Sequence, residues 1–145
     1  MHKTINFKIV TPEKVIYEND IIQVSIPTSE GEITVLANHI PLIAVLQNGE
    51  MRIKDKDGEH VMAIAGGFVE IKAKNEIVIL ADNAERAGEI DIARAEEAKQ
   101  RAIAQMEKAQ GVENVDFARL QAVIDREMNR IRIGKKYKKL PQARS

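Results

Sequence analysis

The sequence predicts an α+β protein: an antiparallel β-sandwich over residues 1–84, then an antiparallel two-helix hairpin over residues 85–145 that ends in a basic tail. Three observations predict it. Apolar residues alternate with period two through the first part and recur with helical period through the second. Turn signals punctuate the first part at short intervals. The charge balance reverses at the same point: residues 1–83 carry 8 basic and 12 acidic side chains, and residues 84–145 carry 14 and 10.

The strands follow from alternation. Ile5, Phe7 and Ile9 form the first set, then Ile22, Val24 and Ile26, then Ile33 and Val35, then Met51 and Ile53. Val61, Ala63 and Ala65 follow, with Val69 and Ile71, and last Ile77 and Ile79. Period two buries one face of each strand. Thr11-Pro12, Asn19-Asp20, Pro27-Thr28-Ser29, Asn48-Gly49, Asp57-Gly58 and Lys74-Asn75 separate the runs, and Asp57-Gly58 is the strongest hairpin signal. Gly66-Gly67 inside a strand pattern predicts a bulge or a close backbone approach.

The helices follow from composition and spacing. Residues 91–110 are rich in Ala, Glu, Lys, Arg and Gln and contain neither Gly nor Pro. Ala95, Ala98, Ala102, Met106 and Ala109 make an apolar stripe, Asp91 suits the N-cap and Gly111 the stop. Asn114 or Asp116 opens a second helix whose stripe is Phe117, Leu120, Ile124, Met128 and Ile131, with Gly134 able to end it. A stripe made mostly of alanine buries little area per residue, so the pair is expected to be marginal and able to open.

Composition narrows the function. The 145 residues carry 22 basic and 22 acidic side chains, no Cys, no Trp and only five Phe and Tyr together (3 and 2). Disulfides, thiolate nucleophiles and Cys-ligated metals are excluded, and aromatic platforms for single-stranded nucleic acid are not expected. The longest apolar run, residues 40–46, is far short of the about 20 residues that span a membrane, and there is no signal-peptide core near the start. P-loop, HExxH, GxSxG and GxGxxG motifs are missing, which argues against a stand-alone enzyme. His2, His39 and His60 lie far apart, and His39 reads as a turn histidine that hydrogen-bonds locally. Asp55, Asp57 and Glu59 look like part of a calcium loop, but the full pattern is absent and a hairpin turn is the better reading.

The arginines of the second part are more informative. Arg94 and Arg101 lie on one side of the first helix, while Arg126 and Arg130 are four apart on the second. Like charges at that spacing repel unless something neutralises them, and guanidinium forks suit phosphates. The bland alternative is a solvated face laced by pairs such as Asp91–Arg94 and Glu127–Arg130, and spacing alone favours it. The tail Lys135-Lys136-Tyr137-Lys138-Lys139 suits an acidic protein surface, an anionic lipid or nucleic acid, but no base-reading element accompanies it.

Several segments together resemble the epsilon subunit of bacterial F-type ATP synthase over nearly the whole chain. They are Val10-Thr11-Pro12, Gly31-Glu32-Ile33 with His39-Ile40-Pro41-Leu42, Gly66-Gly67-Phe68-Val69-Glu70-Ile71, Leu80-Ala81-Asp82 and Ile90-Asp91-Ile92-Ala93-Arg94-Ala95. The family usually has Gly at the position of Thr34 and often Pro-Gly at Ala37-Asn38; Asn tolerates the left-handed conformation such a turn needs.

The resemblance implies a non-catalytic rotor subunit of the central stalk that couples the catalytic core to the membrane c-ring. Its sandwich would bind the gamma subunit and the c-ring, with Glu32 and His39 as contacts. Its hairpin would regulate ATP hydrolysis, extending to meet the beta and alpha subunits, and the excess of basic over acidic side chains fits an acidic target there. ATP, with no metal required, would bind the folded hairpin through Glu85, Ile90, Asp91, Arg94, Ala95, Arg101, Arg126 and Arg130. The implied location is the cytoplasmic side of a bacterial membrane, touched only through partners and without nucleic acid. The alternative is a basic adaptor that binds acidic protein or nucleic acid.

Overall fold

Eight strands fill the chain up to Arg86. They are β1 (Ile5–Val10), β2 (Val15–Ile21), β3 (Gln23–Thr28), β4 (Gly31–Leu36), β5 (Leu42–Val45), β6 (Gly49–Asp55), β7 (Gly58–Lys72) and β8 (Glu76–Arg86). The structure, a computed structural model, describes residues 3–112 and 115–138. It divides between Arg86 and Ala87 into two compact units. The expected boundary at 84 and 85 therefore moves two residues on, because β8 keeps pairing with β7 as far as Arg86, opposite Met62.

The strands run in the order β2-β1-β8-β7-β6-β3-β4, with β5 also on β7. β7 changes partner along its length. Residues Gly58 to Ile64 pair with β6, and Phe68 to Ile71 pair with β5. The switch falls at Gly66 and Gly67, whose φ angles are +72° and +106°. A Cβ on Gly67 would lie 2.0 Å from the carbonyl oxygen of Leu80. The expected close approach is thus real, and it lets the sheet turn back over itself into a sandwich. Between the layers lie Ile5, Phe7 and Ile9 of β1, Val24 and Ile26 of β3, Met51 and Ile53 of β6, Met62 and Ile64 of β7, and Ile77 and Ile79 of β8, all at most 1% exposed.

Three features differ from the sequence expectation. β2 has no counterpart among the expected strands, and Asn19-Asp20 inside it reads as a turn from sequence; only Tyr17 and Ile21 of this edge strand are buried, so alternation is faint. β5 is a second edge strand, hidden in an unpatterned apolar run. And β1 pairs with β8 in parallel, whereas every other pairing of the named strands is antiparallel. Strands so distant in sequence are not joined by a hairpin, so nothing local sets their direction.

The second unit begins with a 3-10 turn, Ala87–Glu89, and continues with α1 (Ile92–Lys108) and α2 (Phe117–Tyr137). Asp91 caps α1 by accepting the Arg94 N–H at 3.1 Å, and Asp116 caps α2 by accepting the Arg119 N–H at 2.9 Å. Asn114, the other expected cap, lies outside the described residues. Of the expected α1 stripe, Ala95, Ala102 and the C-cap Ala109 are buried, while Ala98 and Met106 are half-buried. That of α2 is Leu120, Ile124, Glu127, Ile131 and Gly134, spaced alternately four and three. This spacing puts Glu127 where Met128 was expected; Met128 is 53% and Phe117 40% exposed. Gly134 does not end α2. It is buried within it, and a Cβ there would meet Ile92 Cγ1 at 2.9 Å and Ile90 Cγ2 at 3.2 Å. The start of α1 thus lies against the end of α2, and Lys135 reaches Glu96 at 3.5 Å, so the helices are antiparallel.

Candidate functional site

In the helical unit, a polyanion site needs converging donors that are not fully spent on the fold. Arg94 and Arg101 are exposed on α1. The register set by Gly134 against Ile90 and Ile92 brings Arg101 level with Glu127 to within about one turn. On α2 the two arginines meet on one carboxylate. Arg126 Nε donates to Glu127 Oε2 at 2.9 Å, and Arg130 Nη1 donates to Glu127 Oε1 at 2.7 Å. The Glu127 side chain is 2% exposed, against 34% for Arg126 and 24% for Arg130. A carboxylate this deep is tolerated because both oxygens receive charge-assisted hydrogen bonds. The spacing showed the Glu127–Arg130 pair; what it could not show was burial, or that Arg126 wraps back to the same group.

The other expected nucleotide contacts are spread out. Asp91 is committed to its N-cap, and Ile90 is half-buried beside Gly134. Ala95 is 0% exposed in the helix seam, so in this arrangement it packs rather than frames a base. Glu85 sits on β8 opposite Ala63, in the strand unit, while the other seven belong to the helical unit.

In the strand unit, Glu32 of β4 forms an ion pair with Arg52 of β6 at 2.5 Å. His39 lies half-buried between β4 and β5, and its Nδ1 donates to the Ile40 carbonyl at 2.7 Å, the local bond expected of a turn histidine. Asn38 before it has φ +70°, so it does occupy the left-handed region.

Two further features were missed from sequence. The first is a polar tie inside the sandwich. The Asp55 carboxylate accepts from the Tyr17 hydroxyl at 3.0 Å, from His60 Nε2 at 2.8 Å, from Asn19 Nδ2 at 3.3 Å and from the Asp57 N–H at 2.8 Å. Burial pulls the Asp55 carboxyl upward, but the Asp57 N–H, Tyr17 and His60 outweigh it and hold it below the ordinary carboxylate value. Burial, then the hydrogen bond to Asp55, pushes the Tyr17 hydroxyl up to about 12. Arg86, the last residue of β8, stacks over the Tyr17 ring at 5.9 Å. With its acceptors saturated, Asp55 ties the β6–β7 hairpin to β2, and Asp55-Lys56-Asp57-Gly58 forms the expected hairpin turn.

The second feature is an exposed apolar row. Val45 of β5 lies opposite Phe68 of β7, Phe68 opposite Leu80 of β8, Leu80 opposite Val10 of β1, and Val10 opposite Val15 of β2. Val45 is 60%, Phe68 45%, Leu80 39% and Val15 50% exposed. Five strands thus present one outward line of hydrocarbon, the pattern of a surface that another protein covers. Each residue alone is an ordinary exposed apolar side chain; only the strand register aligns them. Among the described residues no cluster of acidic or histidine side chains is arranged to hold a metal, and no helix is long and apolar enough to cross a membrane.

Comparison with known proteins gives matches over both units. Residues 4–87 match the family model of the ATP synthase delta/epsilon chain β-sandwich domain, and residues 89–135 that of the ATP synthase delta/epsilon chain long α-helix domain. The ATP synthase epsilon chain of Pediococcus pentosaceus is 41% identical, over 92% of this chain and 97% of its own. That of Halalkalibacterium halodurans is 40% identical, over 88% and 95%. Among solved structures, a chain of the Euglena gracilis mitochondrial ATP synthase superposes with a TM-score of 0.69 at 22% identity, covering 87% of this chain and 78% of that one. A chain of the Tetrahymena thermophila mitochondrial ATP synthase central stalk and c-ring gives 0.60 at 15% identity, covering 93% and 96%. At such identities these two report the fold.

Proposed function

The chain belongs to the ATP synthase epsilon chain family, a non-catalytic subunit of that complex, and from this premise we propose that it is a rotor subunit of the central stalk whose helical hairpin senses ATP. The sandwich docks the gamma subunit through the apolar row of Val45, Phe68, Leu80, Val10 and Val15. Residues 31–42, with Glu32 and His39, face the c-ring. The Euglena and Tetrahymena chains come from assemblies containing a c-ring, which supports this placement.

The observation that carries the regulatory part is the make-up of the helix seam. Alanine fills both of its fully buried α1 positions, Ala95 and Ala102, and each buried methyl contributes only about 0.8 kcal/mol. A pair held so lightly opens at small cost. Closed, it offers Arg94, Arg101, Arg126 and Arg130 to the phosphates of ATP, with Ile90 and Asp91 near the nucleoside. Open, its excess of basic over acidic side chains meets acidic surfaces of the beta and alpha subunits and slows hydrolysis. A ligand that binds only the closed form stabilises it by RT ln(1 + [L]/Kd), so falling ATP lets the hairpin open and applies the brake. The subunit acts at the cytoplasmic face of the membrane through its partners.

Calorimetry of the full chain with ATP tests this reading. Binding that Arg126→Ala abolishes is expected; absence of heat at millimolar ATP discards the sensor. Failure to co-purify with gamma discards the stalk role.

A further inference from the structure

The most unusual group in the helical unit is Glu127, a carboxylate with 2% exposure placed in the apolar stripe of α2 between Ile124 and Ile131. Its two partners, Arg126 and Arg130, are on α2 itself, one residue before it and three after. They are also two of the four arginines assigned above to the nucleotide phosphates. We propose that Glu127 is a resident counter-anion that competes with those phosphates and so weakens ATP binding by this chain. The proposal rests on the ATP-sensing reading.

Without Glu127, Arg126 and Arg130 would face each other four residues apart with two positive charges, a repulsion that an anion must relieve. ATP would then be that anion. With Glu127 in place, the pair carries one net positive charge instead of two. At least one donor direction of each guanidinium is already engaged, at 2.9 and 2.7 Å. A phosphate entering beside them also meets a fixed negative charge inside a poorly solvated seam, where Coulomb repulsion is stronger than in water. Because the pairing lies within α2, it need not break when α1 leaves. The buried charge therefore adds little to the cost of opening, unlike an ion pair that bridges the two helices.

A different role would read the same contacts the other way, with Glu127 orienting the arginines and so strengthening phosphate binding. The two roles predict opposite signs. Titrations of the full-length chain with ATP are run on wild type, Glu127→Gln and Glu127→Met, the last filling the seam without charge. The expected result is about tenfold or tighter ATP binding by both variants, from removal of one nearby charge. Tripolyphosphate should gain by a similar factor and adenosine should not. Equal or weaker ATP binding by both variants, with wild type still binding, overturns the proposal and leaves the ATP-sensing reading standing. If circular dichroism shows intact helices and no form binds millimolar ATP, both fall. Loss of the helices in both variants even with ATP present makes Glu127 a folding requirement, which also overturns the proposal.

Discussion

Gly134→Ala is the sharpest probe of how the two helices are held. Two effects oppose each other. Alanine inside a helix is favoured over glycine by about 1 kcal/mol. Against that, the new methyl would lie 2.9 Å from Ile92 Cγ1, 3.2 Å from Ile90 Cγ2 and 3.3 Å from Ile92 Cδ1. Cγ1 is only one bond beyond Cβ, and the β-branch leaves χ1 little freedom in a helix, so this contact cannot be relieved by a distal swing. Overpacking of this kind costs about 1–3 kcal/mol. With a central cost of about 2, the net change is about 1 kcal/mol against the closed pair. The assay is native-state hydrogen exchange on the full chain, because local opening of the helices is invisible to a melt dominated by the sandwich. Amides of α1 and α2 should exchange about fivefold faster, while those of β1 and β8 stay unchanged. Ile92→Ala in the same chain should restore part of the loss, a coupling expected only of residues in contact. Slower exchange in Gly134→Ala would mean that the seam has room and would refute the packing argument.

Four further predictions concern the strand unit. Tyr17 is held protonated to about pH 12, so stability should decline as pH rises from about 10, where the unfolded chain ionises first, toward 12; the slope from this group is at most about 1.4 kcal/mol per pH unit. Urea unfolding should show that alkaline loss in wild type and a smaller one in Tyr17→Phe. Asp55 has the opposite sign: its lowered value gives stability that is present above about pH 4 and is lost as pH falls below it, and Asp55→Asn should lack that acid limb. Gly67→Ala, with a positive φ and a Cβ driven onto the Leu80 carbonyl, should cost at least about 3 kcal/mol and collapse the unfolding midpoint. Phe68→Ser removes the centre of the apolar row from a side chain 45% exposed; the melting temperature should barely move while co-purification with gamma falls, and retained co-purification would remove the row from the gamma interface.

Legibility followed the range of the interaction. Where a residue's environment is set by its own neighbours, the sequence was enough. Period-two runs marked β1, β3, β4, β6 and β8, Asp91 and Asp116 marked helix starts, and Asn38 marked a left-handed turn. The glycine pair was recognisable as a backbone constraint, although its purpose as the point where β7 changes partner was not. The edge strands β2 and β5 escaped because one-sided burial leaves too few inward residues to show a pattern.

The four arginines stood out by spacing, and the segments around them carried the family resemblance, so sequence alone determined what kind of protein this is and which side chains bear its charge. Tertiary structure decided which of those charges remain available. That Glu127 takes both Arg126 and Arg130, that Gly134 serves contact rather than termination, and that five separate apolar residues form one line across the sheet all depend on helix register and strand pairing. Register is chosen by the sum of many weak contacts between distant segments, and no short stretch of chain contains that sum.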